Sequence, residues 1–169
     1  DALKVVVEDI ENYNYTQRLH AETYVFFCAA TYGDGEPTDS AVDFDQWLTE
    51  VEEMGEDIFH GVKFGVMALG NREYEHFCIF GKKIDRVMGA LGGVRIAERI
   101  DGDDSKCIED DFENFAKNAL DGLAKEEALQ REKQSILCQE CQCSFHRCPG
   151  TGRDWLSSRS AFVRNQKGN

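Results

Sequence analysis

The feature that most constrains this chain is an alternation: continuous apolar runs of strand length are separated by stretches whose apolar residues recur at helical spacing. Residues 23 to 29, Thr-Tyr-Val-Phe-Phe-Cys-Ala, form a β-rich run of the kind buried on both faces of a sheet. Residues 62 to 69, Val-Lys-Phe-Gly-Val-Met-Ala-Leu, form a second, and Lys4 to Val7 and Val94 to Ala97 are weaker strand candidates. Ala41, Phe44, Leu48 and Val51 share a helical face entered through Pro37-Thr38-Asp39, where Thr38 or Asp39 can cap the first turn. Phe77, Phe80, Ile84, Met88 and Leu91 form another stripe, closed by Gly92 and Gly93, and Ile108, Phe112, Phe115 and Ala119 form a third. These stripes are read as core. The alternation predicts an α/β fold, a doubly wound parallel sheet with helices on both faces.

Ligands of such sheets bind beyond the carboxyl ends of the strands, where loops lead into helices. That places a site at residues 30 to 39, 69 to 77 and 100 to 107. The first loop has two glycines, Gly33 and Gly35, which let backbone N–H groups approach a ligand, and one aromatic, Tyr32. The second repeats the plan with Gly70, Asn71 and Tyr74. Two strand-end loops that each present a tyrosine suit a flat heteroaromatic ligand held between rings, each ring contributing about 1 kcal/mol beyond burial.

Charge narrows the partners. Residues 1 to 122 carry 27 Asp and Glu against 11 Lys and Arg, and the remaining 47 residues carry 5 acids and 8 bases, giving −16 and +3 within the total of −13. So acidic a body disfavours nucleic acid, whose phosphates require cationic side chains, and suits a basic protein partner. No run approaches the roughly 18 apolar residues of a membrane span, so no membrane contact is expected from this segment. Cys28, Cys78 and Cys107 are scattered and four further cysteines crowd near the end, which argues for a reducing compartment and against a disulfide framework. The first residue is Asp, consistent with a piece of a longer protein.

Three strings, FFCAATYGDGEPTD at residues 26–39, GVKFGVMALGNREYEHF at residues 61–77 and DGDDSKCIEDDF at residues 101–112, resemble the FMN domain of NADPH-cytochrome P450 reductases, most closely the plant type. The resemblance spans roughly residues 2 to 120. It implies a flavodoxin-like sheet whose first strand and Ser/Thr-rich phosphate loop lie upstream of residue 1. It also implies FMN as cofactor, with FAD and NADPH in the parent protein. Electrons would come from an FAD/NADPH domain in cis and pass singly to a haem protein such as cytochrome P450, at the cytosolic face of the endoplasmic reticulum. By matching position, Ala30, Thr31, Tyr32, Gly33 and Gly35 correspond to the loop on one side of the flavin, with Tyr32 stacked on the ring. Leu69, Gly70, Asn71, Tyr74, His76, Phe77 and Cys78 correspond to the loop on the other side, where Tyr74 stacks, and Asp104 to a third-loop residue near the flavin. Cys78 stands where the family usually has Asn, and the third loop, residues 100 to 105, departs from the family's Gly-Leu-Gly and three acids. Asp34, Glu36, Asp39, Asp103 and Asp104 resemble an acidic docking surface for basic redox partners. No catalytic acid or base is implied, and His76 is read as a loop residue. The alternatives are a free-standing flavodoxin-type electron carrier and a fragment unable to retain FMN.

The expected division is a partial FMN-binding domain at residues 1 to 122 and a Cys-rich tail at residues 123 to 169, disordered or an artefact of gene modelling, with residues 126 to 134 able to extend the last helix. Cys138, Cys141, Cys143, His146 and Cys148 include a CxxC spacing but lack the second, separated pair of a structural zinc site, so no metal site is assigned.

Overall fold

The computed structural model describes residues 5–140, and the side chains of residues 5–133. In chain order the elements are α1 (Tyr15–Arg18), β1 (Tyr24–Tyr32), β2 (Glu36–Pro37), α2 (Val42–Met54), β3 (Lys63–Gly70), α3 (Ile79–Ala90), β4 (Val94–Arg95), β5 (Ile100–Asp103) and α4 (Ile108–Glu140). The chain divides into two units after Leu123, within α4. The cysteine cluster from Cys141 onward lies outside the described residues, and Cys138 falls in α4.

β3 is the central strand. It pairs in parallel with β1 over seven positions, from Tyr24 opposite Lys63 to Ala30 opposite Leu69. On its other edge it pairs in parallel with β4 at Lys63 and Phe64 and with β5 from Met67 to Gly70. Its residues Phe64 through Ala68 are all buried, as expected of a strand covered on both faces. Alternation along the strand divides the core. Phe64 and Val66 join Phe44, Leu48 and Val51 of α2 and Phe80, Ile84, Val87 and Met88 of α3 in one cluster. Met67 joins Ala97, Phe115 and Ala119 in a second cluster, with Phe26, Leu69, Ile100 and Ile108 packed against it. Helices therefore cover both faces of a parallel sheet, and the helical stripes are core.

Several local expectations are corrected. Val5, Val6 and Val7 form no strand and are 81%, 60% and 91% exposed, because valines favour a strand only where a neighbouring strand accepts them. β1 is half-buried rather than buried, with Cys28 exposed. Among the described residues, its second edge meets a strand only at its tip, where Thr31 and Tyr32 pair antiparallel with Pro37 and Glu36 of β2. The loop read at residues 30 to 39 is thus partly a hairpin. At its end Thr38 and Asp39 lead into a 3₁₀ turn, Asp39–Ala41, and neither side chain caps a helix. Lastly, residues 100 to 103 are strand, not loop. Asp101 is tolerated there because Arg99 Nε lies 2.7 Å and Lys82 Nζ 3.5 Å from its carboxylate. The predicted strand at 94 to 97 shortens to the two residues of β4.

Two of the stripes also shift. Phe77 precedes α3 instead of belonging to it, and Phe112 is exposed while Phe115 and Ala119 are buried.

α3 lies close on β3 because Gly81 has no side chain: a Cβ there would stand 2.7 Å from Ala68 Cα. Gly81→Ala is expected to push helix from strand and to destabilise the domain by about 1–3 kcal/mol, read from the urea-unfolding midpoint.

Candidate functional site

Parallel pairing brings the carboxyl ends of β1, β3 and β5 to one end of the sheet, so the three loops converge. The first two are in contact. A Cβ on Gly35, whose φ is +105°, would stand 3.1 Å from His76 Cβ, so only glycine lets these backbones approach. Thr31 Oγ1 accepts the Phe80 N–H at 3.1 Å, tying β1 to the first turn of α3. Tyr32 and Tyr74, one on each loop, are 70% and 68% exposed. Large apolar rings left this open beside a shared junction have surface available for a planar ligand.

The second loop is shaped by its own polar groups. Asn71 Oδ1 accepts the Glu73 N–H at 2.9 Å and Asn71 O accepts the Tyr74 N–H at 3.1 Å, which curls the backbone into the turn carrying Tyr74. Phe77 is half-buried with the Arg72 guanidinium 4.7 Å and the Lys82 ammonium 5.1 Å from its ring centre. Its faces are thus engaged by cations. Cys78 begins α3 in a left-handed conformation, φ 58°. Its buried thiol lies 3.5 Å from Ala68 O and 3.6 Å from Gly102 O. Burial, reinforced by Asp101, pushes the thiol up to about 11, so it stays protonated and able to donate to these carbonyls.

The third loop is joined to the second through Asp103. Its carboxylate accepts the Arg72 N–H at 3.1 Å, Arg72 Nε at 3.3 Å, the Ser105 N–H at 3.2 Å and the Ser105 hydroxyl at 2.8 Å. Its own N–H donates to Asp111 Oδ2 at 3.1 Å, and the Asp104 N–H donates to Gly70 O at 2.8 Å. Asp103 is 2% exposed. It does not face solvent as a docking acid would, whereas Asp34, Glu36, Asp39 and Asp104 are exposed. The hydrogen bond from the Arg72 backbone, followed by those from Ser105 and the Arg72 side chain, holds the Asp103 carboxyl down to about 2.

Of the residues expected to line the site, Ala30, Thr31, Tyr32, Gly33, Gly35, Leu69, Gly70, Asn71, Tyr74, His76, Phe77, Cys78 and Asp104 all lie on these strand ends and loops. Only the two tyrosines offer broad open rings. Arg72, Ser105 and Asp111 were not singled out by sequence, and nothing in their spacing marks them, since each meets Asp103 through the fold. Among the described residues no group of three or more His, Cys, Asp or Glu could hold a metal ion.

The flavodoxin family profile matches residues 1–115. The chain belongs to the flavodoxin family. This flavodoxin-family chain is 46% identical over 112 residues to an NADPH–cytochrome P450 reductase of Dictyostelium discoideum, covering 66% of the chain and 17% of that protein. It is 50% identical over 88 residues to the human NADPH–cytochrome P450 reductase, covering 52% and 12%. The chain therefore spans about a sixth or less of those reductases. A solved flavodoxin from Streptococcus pneumoniae TIGR4 superposes with a TM-score of 0.60 at 27% identity, covering 73% of this chain and 79% of that one.

A carboxyl held lower in the folded than in the unfolded state stabilises the fold above the ordinary carboxylate pKa, and that contribution fades as pH falls through the folded value. For Asp103 the window lies between about 4 and about 2. The melting temperature of Asp103→Asn is expected to sit below that of the unchanged chain by a constant amount from pH 5 to 8. The gap should close as pH falls from 4 toward 2.

Proposed function

We propose that these residues form the ring-binding part of an FMN-dependent electron-transfer domain, within a parent protein of the NADPH–cytochrome P450 reductase type. The observation that carries the reading is the pair of exposed tyrosines, Tyr32 and Tyr74, on strand-end loops that touch at Gly35 and His76. The identity to NADPH–cytochrome P450 reductases supports it. Bound FMN supplies electron transfer in one-electron steps, so the protein contributes binding and orientation rather than an acid or base. Tyr32 and Tyr74 would hold the ring and shield it from water. Residues 30 to 33 and Gly35 would border one side of the ring, and Leu69 to Asn71, His76 to Cys78 and Asp104 the other. The phosphate end of FMN is assigned to parts of the parent protein outside these 169 residues.

In this reading an FAD/NADPH module of the parent reduces the domain, and a haem protein such as cytochrome P450 accepts the electrons at the cytosolic face of the endoplasmic reticulum. No helix among the described residues is long and apolar enough to cross a membrane. Asp34, Glu36, Asp39 and Asp104 are exposed on and beside the segments that follow β1 and β5, negative charge that would steer a basic partner to this end of the sheet.

The test is FMN titration of the parent protein, followed by quenching of flavin fluorescence. Tyr74→Asp is expected to lower FMN affinity at least about tenfold, as loss of a stacked ring and gain of a charge require; unchanged affinity removes the stacking argument. Neutralising Asp34, Glu36, Asp39 and Asp104 together is expected to slow association with a basic haem protein and flatten its dependence on salt, measured by stopped flow at two ionic strengths.

A further inference from the structure

We propose that Asp103 is a positioning residue, a buried carboxylate that locks the loop after β5 to the loop after β3 and so holds the Tyr74 turn in its binding geometry. Its value for ligand binding rests on the flavin reading above; the lock itself does not.

The argument is geometric. The Tyr74 turn is built locally by Asn71, through its side chain to Glu73 and its carbonyl to Tyr74. A turn closed only on itself is free to swing about its ends. Here its second residue is held from outside, because the Arg72 backbone and side chain both donate to Asp103, 31 positions later. The Ser105 backbone and hydroxyl donate to the same carboxylate. One buried group therefore receives four donors from two loops, and charge-assisted hydrogen bonds of this kind are about twice as strong as neutral ones. A second tie runs alongside, from the Asp104 N–H to Gly70 O. Asp103 is in turn aimed by its place at the end of β5, where Gly102 pairs with Leu69 and Asp103 with Gly70, and by the bond from its N–H to Asp111 in α4. The carboxylate thus connects Tyr74 to the rigid edge of the sheet. A tyrosine this exposed gains a fixed place from the backbone beneath it. Fixing that place before ligand arrives removes an ordering cost from binding.

Asp85 provides the comparison. It is also buried, at 5% exposure, and also pairs with two arginines, Arg95 at 2.7 Å and Arg99 at 3.0 Å, but it lies in α3, away from the Tyr74 turn. Removing its charge should lower stability without freeing the loops.

The experiment is amide hydrogen exchange on the ligand-free chain, comparing Asp103→Asn, Ser105→Ala and Asp85→Asn. Asp103→Asn is expected to accelerate exchange at Arg72 and Tyr74 about tenfold, with amides of β3 unchanged. Ser105→Ala removes one donor from an exposed residue of the third loop, so it tests the lock even if Asp103→Asn does not fold; it should accelerate exchange across the gap, at Arg72 and Tyr74. Asp85→Asn should leave both amides unchanged. Acceleration confined to residues 103 to 107, or equal at Arg72 and Tyr74 in Asp85→Asn, overturns the proposal. FMN titration of the parent protein separates the two readings. If the unchanged parent binds FMN and Asp103→Asn binds it equally well, positioning is overturned and the flavin site stands. If the unchanged parent binds none, the flavin reading fails and the exchange data alone decide the lock.

Discussion

Everything at this end of the molecule depends on the parallel pairing of β3 with a strand on each side. A parallel neighbour runs in the same direction, so the carboxyl ends of β1, β3 and β5 finish together and their loops must share one region of space. Burial keeps that register in place. The side chains of Phe64, Val66 and Ala68 lie on one face of β3 and those of Met67 and Leu69 on the other, and a slip of one residue would exchange them. The helices then lock the sheet: Lys83 reaches Asp45 at 2.6 Å between α3 and α2, and Arg86 pairs with Glu52 across the same two helices. With the strands so held, contact between Gly35 and His76 is a consequence of topology.

The site is built on this frame by polar groups rather than by further packing. Of the loop aromatics, Phe77 is taken up by two cations, while Tyr32 and Tyr74 stay open. Their open state costs some apolar exposure. The loops are tied to one another and to the sheet by a set of acceptors: Asp103 for Arg72 and Ser105, Thr31 for Phe80, and the carbonyls of Ala68 and Gly102 beside Cys78. Cys78 is notable because a non-glycine residue holds φ of 58° there. A conformation that costs energy alone is retained where its surroundings fix it, and the thiol between two strands is part of that fixation.

The acids show how one residue type divides by location. Five carboxylates near the loops look equivalent when read along the chain. Four of them, Asp34, Glu36, Asp39 and Asp104, are exposed, whereas Asp103 is turned inward one residue from Asp104. Alternation along β5 separates the neighbours: at the strand's last position one side chain faces the loops, and the next residue has already left the sheet.

By itself the sequence determined the α/β class, the strand at residues 62 to 69, the helical core stripes and the three loops, because apolar period and glycine placement are local signals. It did not reveal that Val5 to Val7 form no strand, that β1 is half-buried, or that residues 100 to 103 form a strand. Strand formation is settled by neighbours, and Asp-Gly-Asp reads as a turn until pairing with β3 places it in the sheet, with Lys82 and Arg72 beside its two carboxylates. The two tyrosines stand out in the sequence because each sits in its own glycine-bearing loop, and the fold leaves both exposed. The lock that orients Tyr74 was not legible there, since Arg72 and Asp103 lie 31 positions apart and only the register between β3 and β5 makes them adjacent. Tertiary structure decided that pairing, and with it which acid is buried, because desolvation and donor geometry exist only once the strands are side by side.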